Sequence, residues 1–142
     1  MNPHEEALVT TFMESSRQER FRTFLRDPKK RKKFTRALAH RRSRLFKANV
    51  LRMIPPRQQN PDGIYSILKS LGAQEKCWVI SEGSLDGHEF EPRQALEEVV
   101  GRGFGTLLSC IPGRLAFLRA KMRYILQSSA NAVVLAGGKP RP

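Results

Sequence analysis

The 142-residue sequence predicts an α+β fold: basic N-terminal helices, then a small, mainly antiparallel sheet of about four strands packed against two amphipathic helices. Three observations carry this expectation. Cations crowd the first part of the chain, with sixteen Lys or Arg against two acids, Glu19 and Asp27, between residues 17 and 57. Two apolar stripes of helical period follow, and after them three apolar runs separated by turn residues.

Leu8, Val9, Phe12 and Met13 recur at helical spacing over residues 4–14. Ser16 and Glu19 have capping-box spacing for a second helix bearing Phe21, Phe24 and Leu25. Asp27 and Pro28 read as the cap and first residue of a third helix reaching about residue 48. Its stripe of Phe34, Leu38 and Leu45 is thin, and Arg31, Arg41 and Arg42 intrude on the same side. That predicts a mostly wet helix whose contacting Arg stems snorkel.

Pro55-Pro56-Arg57-Gln58-Gln59-Asn60 reads as an extended linker, because two prolines forbid helix continuation. The expected organisation is a basic helical segment over 1–57, a small α+β domain over 58–128 and a flexible tail over 129–142. Asn60 as cap, Pro61 in the first turn, then Ile64, Ile67, Leu68 and Leu71 up to Gly72 form the cleanest amphipathic helix. Cys77 to Ser81 reads as a buried strand, followed by a polar loop turning at Asp86-Gly87. A helix from Pro92 presents Ala95, Leu96, Val99 and Val100, and stops at Gly101 or Gly103. Phe104 to Ile111, Arg114 to Arg119 and Arg123 to Gln127 then read as a meander. Pro112-Gly113 suits a type II turn, which fits a two-residue hairpin poorly and predicts a wider loop.

On this reading the core lies in residues 61–127, carried by Ile64, Ile67, Leu68, Leu71, Trp78, Val79, Ile80, Leu96, Val99, Val100, Leu107, Leu115, Phe117 and Ile125. The basic part is then weakly attached, and limited trypsin digestion should leave a fragment starting near Gln58.

The composition, 39% hydrophobic and 27% charged, argues against wholesale disorder despite a net charge of +13. The first residues lack a basic start followed by an apolar stretch, and no apolar run approaches the ~20 residues of a spanning helix. The lack of such a run points to no membrane partner, and Cys77 and Cys110, each in an apolar run as buried free thiols are, point to a reducing compartment, the cytoplasm, with a disulfide as the alternative.

The strongest functional signal is the set Lys29, Lys30, Arg31, Lys32, Lys33, Arg36, Arg41, Arg42, Arg44 and Lys47, the candidate nucleic-acid-binding residues. Neutralising phosphates by counterion release needs many cations close together and no special geometry, so a cation-ringed helix suffices. Arg102-Gly103-Phe104-Gly105 matches the opening of the RNP1 strand of RNA-recognition motifs, but Thr106 and Ser109 stand where further aromatics belong, and the family is not assigned.

Glu82, Asp86, His88 and Glu89 are suitable metal ligands without diagnostic spacing, and no Cys-x-x-Cys pair exists, so no metal is expected. Nothing around Cys110 matches a nucleophile signature, and Gly101, Gly103 and Gly105 follow a helix where a phosphate loop would join a strand to one. Neither a catalytic residue nor a cofactor is assigned. The expected function is nonenzymatic, backbone-directed binding of RNA or DNA by the basic helices. The alternative is an interaction or regulatory module, self-associating or not, whose basic arm docks on an acidic surface such as its own 75–98 segment; a small enzyme ranks third.

Overall fold

The computed structural model describes residues 2–40, 45–99, 105–119 and 123–127. Its helices are α1 (Pro3–Ala7), which runs into a π-helical turn over Leu8–Phe12, α2 (Ser15–Arg26), α3 (Arg31–His40), α4 (Pro61–Ser70) and α5 (Pro92–Val99). Its strands are β1 (Leu51–Met53), β2 (Cys77–Ile80), β3 (Glu89–Phe90), β4 (Thr106–Ile111), β5 (Leu115–Arg119) and β6 (Arg123–Gln127). All pair antiparallel in one sheet of order β1-β6-β5-β4-β2-β3. The fold is α+β, and the four expected strands are its central four. The short β1 and β3 extend it at either edge.

Local chemistry explains the best-anticipated elements. Asn60 caps α4 by accepting the Gly63 N–H at 2.8 Å, and Gly72 at φ 101° lets the Ala73 N–H return to the Leu68 carbonyl at 2.9 Å. Glu91 caps α5 through the Gln94 N–H. Between β4 and β5 the Arg114 N–H bonds to the Ile111 carbonyl with Pro112 and Gly113 (φ 70°) at the corners, and three residues separate the strands, the wider loop that Pro-Gly predicts. Ser16 is not the cap of α2: the helix begins at Ser15 after Glu14. Asp27 does accept the Lys29 N–H, but regular helix starts only at Arg31.

Strand alternation assigns the two sheet faces. Registers Trp78↔Ser109, Ile80↔Leu107, Leu107↔Leu118 and Ser109↔Ala116 put these side chains on one face. Cys77, Val79, Leu108, Cys110, Leu115 and Phe117 occupy the other, under Ile64 and Leu68 of α4 and Ala95, Leu96 and Val99 of α5.

The first face is where the structure departs from the expected organisation. Leu8, Val9, Phe12, Met13, Phe21, Leu25, Phe34, Leu38, Leu45 and Phe46 form one continuous core with Ile80, Leu107, Ala116 and Leu118. The basic helices are therefore the second cover of the sheet, and the core is not confined to 61–127. Phe34, Leu38 and Leu45 are each 0% exposed. A thin stripe is enough here, because α3 lies so close to the sheet that a Cβ at Gly105 (φ 84°) would run into the Thr35 carbonyl oxygen. Two backbone ties finish the layer: residues 45–47 bridge to 12–14 through Glu14 N–H to the Leu45 carbonyl and Lys47 N–H to the Phe12 carbonyl, and β1 pairs with β6 across the expected boundary at residue 57. The tail over 129–142, Val100 and the side chain of Ile125 lie outside the described residues.

Candidate nucleic-acid interface

The helices α2 and α3 are joined by a tight connection at Asp27–Lys30 and pack against each other through aromatics. Phe34 is buried against the sheet; Phe21 meets it edge-on at 5.8 Å, and Phe24 meets Phe21 edge-on at 5.2 Å. Phe24 is the outermost ring of this ladder and only partly buried. Around it lies a groove of about 520 Å³ lined by Arg17, Arg20, Phe21 and Phe24 of α2 and Lys33, Arg36 and Ala37 of α3. Spacings of three, four and seven residues put each set on one helix face. The Arg20 guanidinium sits 5.5 Å and the Lys33 ammonium 5.7 Å from the Phe24 ring centre. Among the described residues no carboxylate lines the groove, so its four cations face a common space.

Of the residues expected from sequence, Lys33 and Arg36 enter this groove, Lys32 is exposed on α3 and Lys29 is exposed in the connection between α2 and α3. Lys30 and Lys47 are partly buried, and Arg41, Arg42 and Arg44 lie outside the described residues. Arg31 needs correction. It faces inward, and all five of its N–H donors are used within the chain. Its Nε and Nη2 bond to the two Asp86 oxygens at 2.8 Å each, Nη1 and Nη2 reach the Glu5 oxygens at 3.2 and 2.9 Å, and Nη1 also reaches the Leu25 carbonyl. The Asp86 hydrogen bonds, backed by those to Glu5, raise its pKa further and keep the guanidinium charged. Glu5 in turn accepts the Trp78 indole N–H at 2.9 Å, and Asp86 the Ser81 N–H at 3.0 Å. The network clamps α1 and α3 to the loop after β2, and leaves Arg31 nothing to offer a phosphate.

Sequence reasoning missed Arg17, Arg20 and Phe24 as members of the site. The signal was present: Arg17, Arg20, Phe21 and Phe24 fall on one face of α2, an aromatic face edged by cations. The inward turn of Arg31 was legible too, since it stands three and seven residues before Phe34 and Leu38 on the buried stripe. Arg22 is drawn away from the groove to Glu6 at 3.1 Å and Glu19 at 3.6 Å, and its hydrogen bond holds the Glu6 carboxyl below the usual range.

Other chemically able groups are engaged elsewhere. His4 Nδ1 lies 2.7 Å from the buried Ser109 hydroxyl, its ring stacks on Trp78, and burial lowers its pKa against the opposing charges of Glu89 and Glu5. Burial pushes the Cys77 thiol up to about 12 and raises the Cys110 thiol well above its ordinary value, which makes both poor nucleophiles. In the polar loop Asp86 is bound to Arg31, and among the described residues no group of three or more His, Cys, Asp or Glu is assembled to hold a metal. No described helix is long and apolar enough to cross a membrane. Comparison with protein-family models, with curated protein sequences and with solved structures finds no match to this chain.

Proposed function

We propose that this protein is a nonenzymatic nucleic-acid-binding protein that engages RNA or DNA through the backbone, at the cationic face of α2 and α3. The observation that carries the reading is the groove of Arg17, Arg20, Lys33 and Arg36, with no acid among the described residues of its walls. Four like charges sharing one recess repel each other and cost stability, an arrangement that a polyanion relieves. Lys29 and Lys32, both exposed, and Arg41, Arg42, Arg44 and Lys47 add to the charge of the same segment. The same reading keeps the chain in the cytoplasm, with the two free thiols as its support.

Electrophoretic mobility shift with unrelated RNA and duplex DNA at rising salt tests the proposal. Binding to both with a steep negative salt dependence is expected, because each phosphate contact releases counterions. Affinity indifferent to salt would refute it. A charge-removal variant has to spare Arg31, whose loss would destabilise the layer as well as discharge it.

One observation favours a second reading, an interaction module that docks on acidic protein. Arg31 already pairs with Asp86 inside the acidic 75–98 segment, and Thr35 reaches Glu82 at 3.4 Å, so the basic layer has one acidic protein surface as its neighbour. Competition by polyglutamate separates the two. Nucleic acid should resist displacement at equal charge concentration, whereas preferential binding of polyglutamate would favour the docking module.

A further inference from the structure

We infer that the α2–α3 groove takes a single unpaired strand, with one nucleobase against Phe24 and the flanking phosphates on Arg17, Arg20, Lys33 and Arg36. The inference rests on the nucleic-acid reading above and narrows it to one class of ligand.

Shape is the first argument. Proteins that read duplexes push a helix or ribbon out into a groove about 12 Å wide. Here the cations line the walls of a recess between two helices whose opposite sides are committed to the sheet. At about 520 Å³ the recess has the capacity of a small-molecule site, enough for a nucleotide-sized group. A convex duplex would rest on the rims and leave the interior empty.

The aromatic floor is the second argument. Binding through the phosphate backbone alone needs only charge, whereas sites for single strands combine a cationic track with an aromatic side chain on which a base stacks. Phe24 is held edge-on by Phe21, so its position is fixed from the core outward. Arg20 and Lys33 attend the ring now. The flexible Lys33 stem can swing its ammonium from the ring to a phosphate as a base arrives, exchanging a weak exposed cation–π contact for a stacked base and an ion pair. Stacking on such a ring is worth roughly five- to 150-fold in affinity per base.

The test is fluorescence anisotropy with labelled oligo(dT), oligo(U) and a mixed-sequence duplex of matched phosphate number, together with cross-linking of a 5-iodouracil-substituted strand to the unaltered protein. Both single strands should bind more tightly than the duplex. Phe24→Leu should weaken single strands at least about fivefold and leave the duplex within about twofold. The cross-link should map to Phe24 or its groove neighbours, and this decides the matter if Phe24→Leu fails to fold. A duplex that binds as well as the strands, or a cross-link confined to residues outside the groove, overturns the inference while backbone binding stands. Absence of binding to strands and duplex alike overturns both.

Discussion

The layer of α1, α2 and α3 and the layer of α4 and α5 cover opposite faces of one sheet, and they differ in what they do with charge. Inside they are alike: each buries a contiguous apolar set against alternate residues of β2, β4 and β5. Outside, the α4–α5 layer mixes its signs. Arg93 pairs with Asp62 and Glu97 and lies over the Tyr65 ring, as on an ordinary solvated surface. On α2 and α3 the outward cations far outnumber the acids, and among the described residues no carboxylate lines the groove between them. Burial of the inner stripe does not require that excess, and the proposed nucleic-acid binding rests on it.

If both layers are true covers, core truncation should be costly on either side. Phe34→Ala and Leu68→Ala should each lose about 3–5 kcal/mol in urea denaturation, in a single transition seen alike by fluorescence and circular dichroism. A Phe34→Ala protein that kept its stability would reduce the basic layer to an appendage. By the same logic trypsin should not leave a folded fragment starting near Gln58, since such a fragment would bare one whole sheet face.

Next in size is the contrast within α3. Arg31→Ala leaves the Glu5 and Asp86 carboxylates without their guanidinium, and should cost about 3–5 kcal/mol. Lys32→Ala, one residue along on the exposed side, should stay within about 0.5 kcal/mol. Equal effects at the two positions would mean that the network contributes nothing.

This pair of residues shows what was legible in the sequence and what was not. The α4 cap, the Gly72 stop, the Pro-Gly turn and the four central strands are written in local chemistry, and they form as expected. The second cover was harder to read, because charge density suggested a wet helix and drew attention from the strands. Yet Thr106-Leu107-Leu108-Ser109-Cys110-Ile111 and Leu115-Ala116-Phe117-Leu118 are apolar at nearly every position, where a sheet with one wet face alternates. Two buried faces need two covers, and α4 and α5 supply one. For the candidate site, the charge run included Lys33 and Arg36 of the groove but not Arg17 or Arg20. Which cations face out depends on the partners of Arg31, Glu5 and Asp86, 26 and 55 residues away, and those emerge only from the tertiary fold.

The smallest expected effect concerns the seam where α1 meets the sheet. Burial lowers the pKa of His4 from its ordinary 6.5, so the unfolded chain takes up this proton more readily than the folded one. The resulting stability is fully present above about pH 6.5, and it declines as pH falls from there toward the folded value. His4→Gln should flatten this part of the stability–pH curve in chemical denaturation. A wild-type curve already flat between pH 7 and 5 would remove His4 from the account.

The difference between the two outer surfaces is tested most directly by a matched pair of charge-removal variants, read as the salt dependence of nucleic-acid affinity. One carries Arg17→Gln, Arg20→Gln, Lys33→Gln and Arg36→Gln in the groove. The other carries Arg57→Gln, Lys69→Gln, Lys76→Gln and Arg114→Gln at exposed positions outside it, with the same change in net charge. The groove variant should lose about three from the slope of log K against log salt, at roughly 0.7–0.9 per phosphate contact, while the control keeps the parent slope. Equal losses in the two would make binding a matter of total charge, and a groove variant that bound like the parent would contradict the assignment of the site.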